Sequence, residues 1–273
     1  MTPPSAIAAR LRAAGCVFAE DEARLLSSAA RTPHELAAMV DRRVRGLPLE
    51  HILGWAEFYG LRVQVDPGVF VPRRRTEYLV SQALAVCRPG AVVVDLCCGS
   101  GAVGAALVSA APQVALYATD IDPAAVACAR RNLSAHPGRV FEGDLLDALP
   151  AALRGRIDVL VANAPYVPTG AIERMPPEAR LHEARVALDG GADGLDVQRR
   201  LAAAAPAWLA PGGHLLVETS RAQAGHTMAV FAHNGLTPRV AHCDGLDATV
   251  VISSRRAPRS RERELPQGAH RGR

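Results

Sequence analysis

The most specific chemistry in this sequence lies in four consecutive residues, Asn163-Ala164-Pro165-Tyr166. An asparagine side-chain oxygen and a neighbouring backbone carbonyl can each accept one N–H of an NH2 group. Proline fixes φ and stiffens such a turn, and the ring of Tyr166 can stack on or wall the group so held. The set would clamp a planar amide or amino group. A loop closed by an Asx turn, which Asn-x-Pro forms readily, is the purely structural alternative.

A second set surrounds a glycine turn. Gly99-Ser100-Gly101-Ala102-Val103-Gly104 fits Gly-x-Gly-x-x-Gly, and Asp120 stands 21 residues after Gly99. That spacing fits a dinucleotide site well, so by itself it does not choose a cofactor. Asp95, four residues before Gly99, helps to separate the readings. A pyrophosphate on the helix N-terminus would be repelled by that carboxylate. S-adenosylmethionine carries a sulfonium and an ammonium instead, which a carboxylate suits, and the glycines let the backbone approach it closely. Asp120 would then accept hydrogen bonds from a ribose diol. Asp144, after the third strand, would meet an adenine amino group; capping of helices or turns is the structural alternative for Asp95 and Asp144.

These residues must be positioned by a framework, and the sequence outlines one. Residues 91–95 (AVVVD) are a continuous apolar run ending in a carboxylate, as in a buried parallel strand. Further strands are expected at 114–120, 139–141, 157–162 and 213–218, with helices from Asp122-Pro123 through Leu133 and near 195–209. Alternating βα units imply right-handed crossovers and a doubly wound α/β sheet. Residues 240–243 and 248–253 would close it as an antiparallel pair. The fourth strand then delivers Asn163 near the topological switch point, where open α/β sheets bind ligands. Ahead of this unit, residues 5–45 read as two or three short helices, one starting at Thr32-Pro33-His34-Glu35 with Thr32 as N-cap. Leu61, Val63 and Val65 alternate as in a strand or hairpin. The expected division is a helical domain at 1–50, a linker at 51–75, the α/β domain at 76–254 and a disordered basic tail at 255–273.

Charge and composition exclude several functions. All 31 basic residues are arginine, which removes lysine Schiff-base and P-loop lysine chemistry. The net charge of +4 resides in the terminal segment, where seven arginines face two glutamates; the remainder carries −1. A basic nucleic-acid-binding face on the body is therefore not expected, and nucleic acid would be met only through the tail. The six cysteines form no Cys-x-x-Cys pair and no zinc-like spacing with histidine. Free thiols in a reducing cytoplasm are expected, with no metal. No apolar run approaches a membrane span and the N-terminus lacks the marks of a signal peptide.

The layout resembles amino-methylating class I S-adenosylmethionine-dependent methyltransferases, whose corresponding motif is Asn-Pro-Pro-Tyr. More narrowly it resembles the HemK-type protein-(glutamine-N(5)) methyltransferases, which modify class I peptide chain release factors. Pro48-Leu-Glu-His-Ile-Leu-Gly54 with Glu57-Phe-Tyr-Gly60, Val71-Pro-Arg-Arg-Arg-Thr-Glu77, Leu188-Asp-Gly-Gly-Ala-Asp-Gly-Leu195, and Leu209-Ala-Pro-Gly-Gly213 with Glu218 are similar to further segments of that family. The resemblance implies a Rossmann-like, mostly parallel seven-stranded sheet. It places Asp95 and Cys97, Cys98, Gly99, Ser100 and Gly101 around the methionine part of the cofactor. Asp120 would bind the ribose, and Asp144 and Leu145 would border the adenine. Asn163 and the Ala164 carbonyl would hold a glutamine amide, with Pro165 and Tyr166 shaping the pocket. N(6)-adenine methylation of nucleic acid and a catalytically degenerate S-adenosylmethionine-binding module are the alternatives. The chain departs from the family at Ala164 in place of Pro, at Cys97-Cys98 in place of Gly-Thr, and in a short helical segment before the linker.

Several other residues have milder readings. Thr76 and Glu77 are expected to cap the following helix. Arg73, Arg74 and Arg75 read as a solvated run with an acidic partner as the alternative. His182-Glu183 reads as a solvated helix end rather than a pocket wall, and His226 and His233 as surface residues of one helix.

Overall fold

The computed structural model describes residues 4–256, Pro137 excepted. Four helices come first: α1 (Pro4–Ala13), α2 (Ala19–Ala29), α3 (Pro33–Val44) and α4 (Leu49–Leu53). The start of α3 follows its sequence: Thr32 Oγ1 accepts the Glu35 N–H at 3.1 Å and Pro33 occupies the first turn. A cap of this kind stabilises by about 1 kcal/mol. Ile7, Leu11, Leu26, Leu36, Met39, Val40 and Ile52 meet in a small core of their own. Arg43 ties this bundle together and to the rest of the chain. Its side chain is 6% exposed and donates to both Glu22 oxygens, at 2.6 and 3.0 Å, and to Glu178 at 2.6 Å. A buried guanidinium is tolerated because its fork is satisfied on both sides.

Gly54, left-handed at φ +79°, ends α4. The chain then forms the hairpin β1 (Trp55–Phe58) and β2 (Leu61–Gln64). Both turn residues, Tyr59 and Gly60, have positive φ (51° and 74°), the arrangement whose twist matches an antiparallel pair. Phe58 and Val63 pack into the main core.

The remaining helices are α5 (Glu77–Val86), α6 (Ala102–Ala110), α7 (Pro123–Asn132), α8 (Pro177–His182), α9 (Asp196–Trp208) and α10 (Ala224–His233). The strands are β3 (Val92–Leu96), β4 (Ala115–Asp120), β5 (Arg139–Glu142), β6 (Ile157–Ala162), β7 (Leu209–Thr219), β8 (Leu236–Cys243) and β9 (Ala248–Arg255). The seven strands after the hairpin form one sheet, ordered β5-β4-β3-β6-β7-β9-β8. The first five in this order are parallel, while β9 is antiparallel to both β7 and β8. Val93, Val94, Val159, Leu160 and Val161 are wholly buried because helices cover both faces, which is why these strands read as unbroken apolar runs. Leu79, Val80 and Leu107 cover one face; Leu201, Trp208 and Phe231 cover the other. The strand order turns back between β3 and β6, so the carboxyl ends of these two strands open a crevice.

The elements differ from the sequence expectations mainly at their ends. α4 runs through residue 50, between Pro48 and Gly54. β7 begins at Leu209 rather than 213, because a bulge absorbs the Pro211-Gly212 turn: Ile157 faces Leu209, but Val159 faces His214. β9 continues to Arg255, whose guanidinium donates to the Leu209 carbonyl. The rest of the expected basic tail, from residue 257, lies outside the described residues. Among the described residues no helix is long and apolar enough to cross a membrane.

Candidate active site

One crevice at the carboxyl ends of β3, β4 and β6 gathers the residues the sequence singled out. Its walls include Asp95, Cys97, Cys98, Gly99, Ser100, Asp120, Asp144, Leu145 and all four residues of Asn163-Ala164-Pro165-Tyr166. Gly101 stands just behind, where an added Cβ would press on Ala129 at 3.0 Å. Phe70, Pro72, Val103, Val186 and Val197 add apolar surface.

Carboxylates ring the half of the crevice around the glycine turn. Asp95 ends 1% exposed, accepting the Gly104 N–H at 2.9 Å. Burial pushes it up to about 7, against the pull of that hydrogen bond. Asp120 braces the turn: its oxygens accept N–H groups from Gly99 (2.8 Å) and Asp122 (2.9 Å). Burial raises its pKa and these two bonds oppose the rise. Asp144 pairs with Arg200 of α9 at 2.5 Å. Leu145 is left-handed (φ 48°), and its carbonyl accepts from Thr119 Oγ1 at 3.2 Å. Cys97 is left-handed too (φ 53°), a conformation that favours glycine. Burial and the neighbouring Asp120, Asp95 and Asp144 hold its thiol well above the usual range, so it is a poor thiolate.

The other half of the crevice is the turn after β6. Ala164 is buried, and Asn163 Nδ2 lies 3.5 Å from Thr76 Oγ1. Two glycines buttress the turn from behind. Gly190 N–H donates to the Val167 carbonyl at 2.9 Å, and Val167 N–H to the Leu188 carbonyl at 3.1 Å. A Cβ on Gly190 would stand 2.8 Å from the Pro165 carbonyl oxygen, and one on Gly194 only 2.3 Å from that of Tyr166. Gly194 also has φ +80°. Gly190 and Gly194 are therefore glycine because the turn after β6 passes directly against them. Gln223 completes the brace, donating to the Tyr166 carbonyl at 2.9 Å. Tyr166 itself is pushed up to about 12 by burial and by the nearby Glu218.

Three expectations are corrected. Thr76 makes no side-chain cap to α5; it is buried in the crevice wall against Asn163. Glu77 accepts the Tyr59 N–H at 2.9 Å instead of capping, tying the hairpin to α5. Glu183 is not a solvated helix end. Its side chain is 1% exposed, pairs with Arg73 at 2.5 Å and accepts the Val71 N–H at 3.2 Å, which fixes the 71–73 segment beside the crevice. Arg73 and Arg75 line the crevice, Arg73 half-buried, while Arg75 and Arg74 are both exposed, as a solvated run would be. His226 and His233 are on the surface of α10. Sequence reasoning missed Arg200 and the inward placement of Thr76, since each depends on a partner more than 50 residues away.

The donor set suits a cationic nucleoside. Asp95, Asp120 and Asp144 offer carboxylates from three successive strand ends. Asp95 meets the Gly104 N–H and no ion-pair partner among the described residues. A Cβ at Gly99 would meet nothing within 4 Å, so the turn leaves room beside it. These residues fit S-adenosylmethionine better than a pyrophosphate, which would sit among like charges.

Comparison with known proteins agrees. Residues 60–192 match the Methyltransferase small domain family. The release factor glutamine methyltransferase of Geobacter sulfurreducens is 42% identical over 208 residues, 74% of this chain and 72% of the relative. The chain belongs to the release factor glutamine methyltransferase family. As a member of that family it is an S-adenosylmethionine-dependent methyltransferase. The 4-amino-L-phenylalanine/4-methylamino-L-phenylalanine methyltransferase of Streptomyces pristinaespiralis is 37% identical over 203 residues, 72% of this chain and 69% of that one. The crystal structure of a methyltransferase from Pyrococcus furiosus shares the fold, with a TM-score of 0.56 over 72% of this chain and 90% of its own, at 17% identity.

Proposed function

We propose that this protein methylates the side-chain amide nitrogen of a protein glutamine, and that its substrate is a peptide chain release factor met in the cytoplasm. The observation that carries the reading is the placement of Asn163 and the Ala164 carbonyl in the same crevice as the carboxylate-lined glycine turn. S-adenosylmethionine supplies an activated methyl group on sulfur. Asp95 and the turn from Cys97 to Gly101 would hold its methionine part, Asp120 its ribose hydroxyls, and Asp144 and Leu145 its adenine.

The chain's own work is alignment. An amide nitrogen is a weak nucleophile because its lone pair is shared with the carbonyl. Asn163 Oδ1 and the Ala164 carbonyl would each accept one of its N–H groups, turning the nitrogen toward the donor and stabilising positive charge as it develops. Pro165 and Tyr166 shape the slot. No strong base is needed before transfer, because the proton leaves afterwards. Nucleic-acid methylation has less support: outside the basic terminal segment the chain carries −1. A degenerate binding module has less support too, because Ala164 keeps the acceptor carbonyl.

The test is incubation of the protein with labelled donor and a release factor, followed by mass spectrometry. Methylglutamine in a Gly-Gly-Gln loop is the expected product. Label on another residue type, or on nucleic acid alone, overturns the reading.

A further inference from the structure

Glu218 is the penultimate residue of β7, and it is 2% exposed. Ala162 of β6 is opposite Val217 of β7, so the next positions along the two strands are Asn163 and Glu218. The Glu218 carboxylate faces the Thr76 hydroxyl, the Tyr166 phenol and the Arg75 guanidinium, whose Nε is 3.4 Å from Oε1. Neither carboxylate oxygen makes a hydrogen bond of good geometry. A buried carboxylate left this way, faced by donors from two separate segments, the Arg75-Thr76 turn and the turn after β6, calls for an explanation beyond packing.

We propose that Glu218, acting through Thr76, sets which way the Asn163 amide faces and is thereby a positioning residue for the methyl acceptor. An ionised carboxylate can only accept, whereas a hydroxyl has one hydrogen to give and two lone pairs. Facing Glu218, the Thr76 hydroxyl is drawn to turn its hydrogen toward the negative charge. Its lone pairs are then free to accept, and Asn163 Nδ2 is the group placed against them at 3.5 Å. With its NH2 turned back to Thr76, Asn163 presents Oδ1 to the crevice. A flipped amide would present N–H donors to the N–H groups of the target and repel it. The Tyr166 phenol faces the same carboxylate. Burial raises the Glu218 pKa, and the Thr76 hydroxyl, Arg75 and Tyr166 oppose the rise.

The inference rests on the amide-methylating reading, and the test separates the two. Thr76→Val, Thr76→Ser and Glu218→Gln are compared with the wild-type chain, all full length, on a glutamine-bearing release-factor peptide. Valine keeps the shape of threonine without the hydroxyl. Thr76→Val and Glu218→Gln should each lower kcat by roughly 10- to 100-fold, because either change lets the Asn163 amide turn. Affinity for S-adenosylmethionine should stay within about threefold in each, since the relay touches the acceptor half. Thr76→Ser should recover most of the lost turnover. Peptide binding to the S-adenosylhomocysteine-loaded protein, read by calorimetry, should weaken in Thr76→Val and recover in Thr76→Ser. Wild-type kcat in Thr76→Val, or a serine variant as impaired as the valine one, overturns the inference alone. A wild-type protein that methylates no amide overturns the functional reading, and the inference with it.

Discussion

The N–H of Gly104, third residue of α6, donates to Asp95 Oδ2 at 2.9 Å. This contact anchors the carboxylate near the end of β3 to the first turn of a helix, where negative charge is favoured. It also leaves Asp95 buried without an ion-pair partner among the described residues, and burial pushes its pKa up to about 7.

That pKa has two consequences of opposite sign. Unfolded, Asp95 titrates near 3.8; folded, near about 7. The folded state therefore binds the proton more tightly. The resulting stabilisation is fully present below the unfolded pKa and is lost as pH rises through the folded one. Its size is on the order of 4 kcal/mol, to be measured as the difference in denaturant stability between the wild type and Asp95→Asn across that range. Cofactor binding should run the other way, because a carboxylate facing a cation must be charged. Affinity for S-adenosylmethionine should fall about tenfold per unit below the folded pKa, and Asp95→Asn should bind weakly with no such slope. Equal slopes in calorimetry of the two proteins would remove Asp95 from the cofactor site.

Asn163→Ala removes the proposed acceptor oxygen of a residue that lines the crevice while leaving the glycine turn intact. Turnover on a glutamine peptide should drop by roughly 100- to 1,000-fold, the usual effect of losing one preorganised transition-state contact. The dissociation constant for S-adenosylmethionine should change by no more than about threefold. Single-turnover transfer with calorimetry on the same sample decides it, and a variant with wild-type turnover would end the proposed role.

Gly194→Ala places a methyl carbon 2.3 Å from the Tyr166 carbonyl oxygen, at a φ of +80° that disfavours any side chain. The acceptor turn must move. Stability should fall by roughly 1–3 kcal/mol, read from the urea midpoint. Turnover should fall further than that loss explains, because Asn163 and Ala164 ride on the displaced turn. Gly225→Ala, where an added Cβ meets nothing within 4 Å, is the matched control.

Cys97→Gly relieves a left-handed residue. The φ of 53° costs a non-glycine residue on the order of 1 kcal/mol, partly offset by the greater unfolded-state freedom of glycine. A gain of about 0.5 kcal/mol in stability, with the denaturant slope unchanged, is the expected result. A loss would mean that thiol packing outweighs backbone strain at this turn.

Much of the architecture was legible in the chain itself. The apolar runs of β3 and β6 mark strands buried on both faces, and Thr32-Pro33 and Asp122-Pro123 mark helix starts through local capping. The glycine turn, Asp95, Asp120 and Asn163 announced themselves because local spacing after a strand fixes where such residues emerge. Thr76, Glu183 and Arg200 did not. Thr76 looks like a cap and Glu183 like a helix end, since a polar residue beside a helix terminus is usually solvated. Here Arg73 brings Glu183 inward across 110 residues, and Asn163 meets Thr76 across 87.

The sequence by itself determined the alternation of strands and helices, the glycine turn after β3 and the Asn163–Tyr166 turn after β6, because each depends on short-range periodicity and turn stereochemistry. Only the tertiary structure decided that β6 and β7 bring Asn163 and Glu218 side by side, that Gly190 and Gly194 press against the turn after β6, and that Arg73 pairs with the buried Glu183. Those facts come from the register of strands and the packing of distant segments, and no local pattern specifies which buried charge will find which partner.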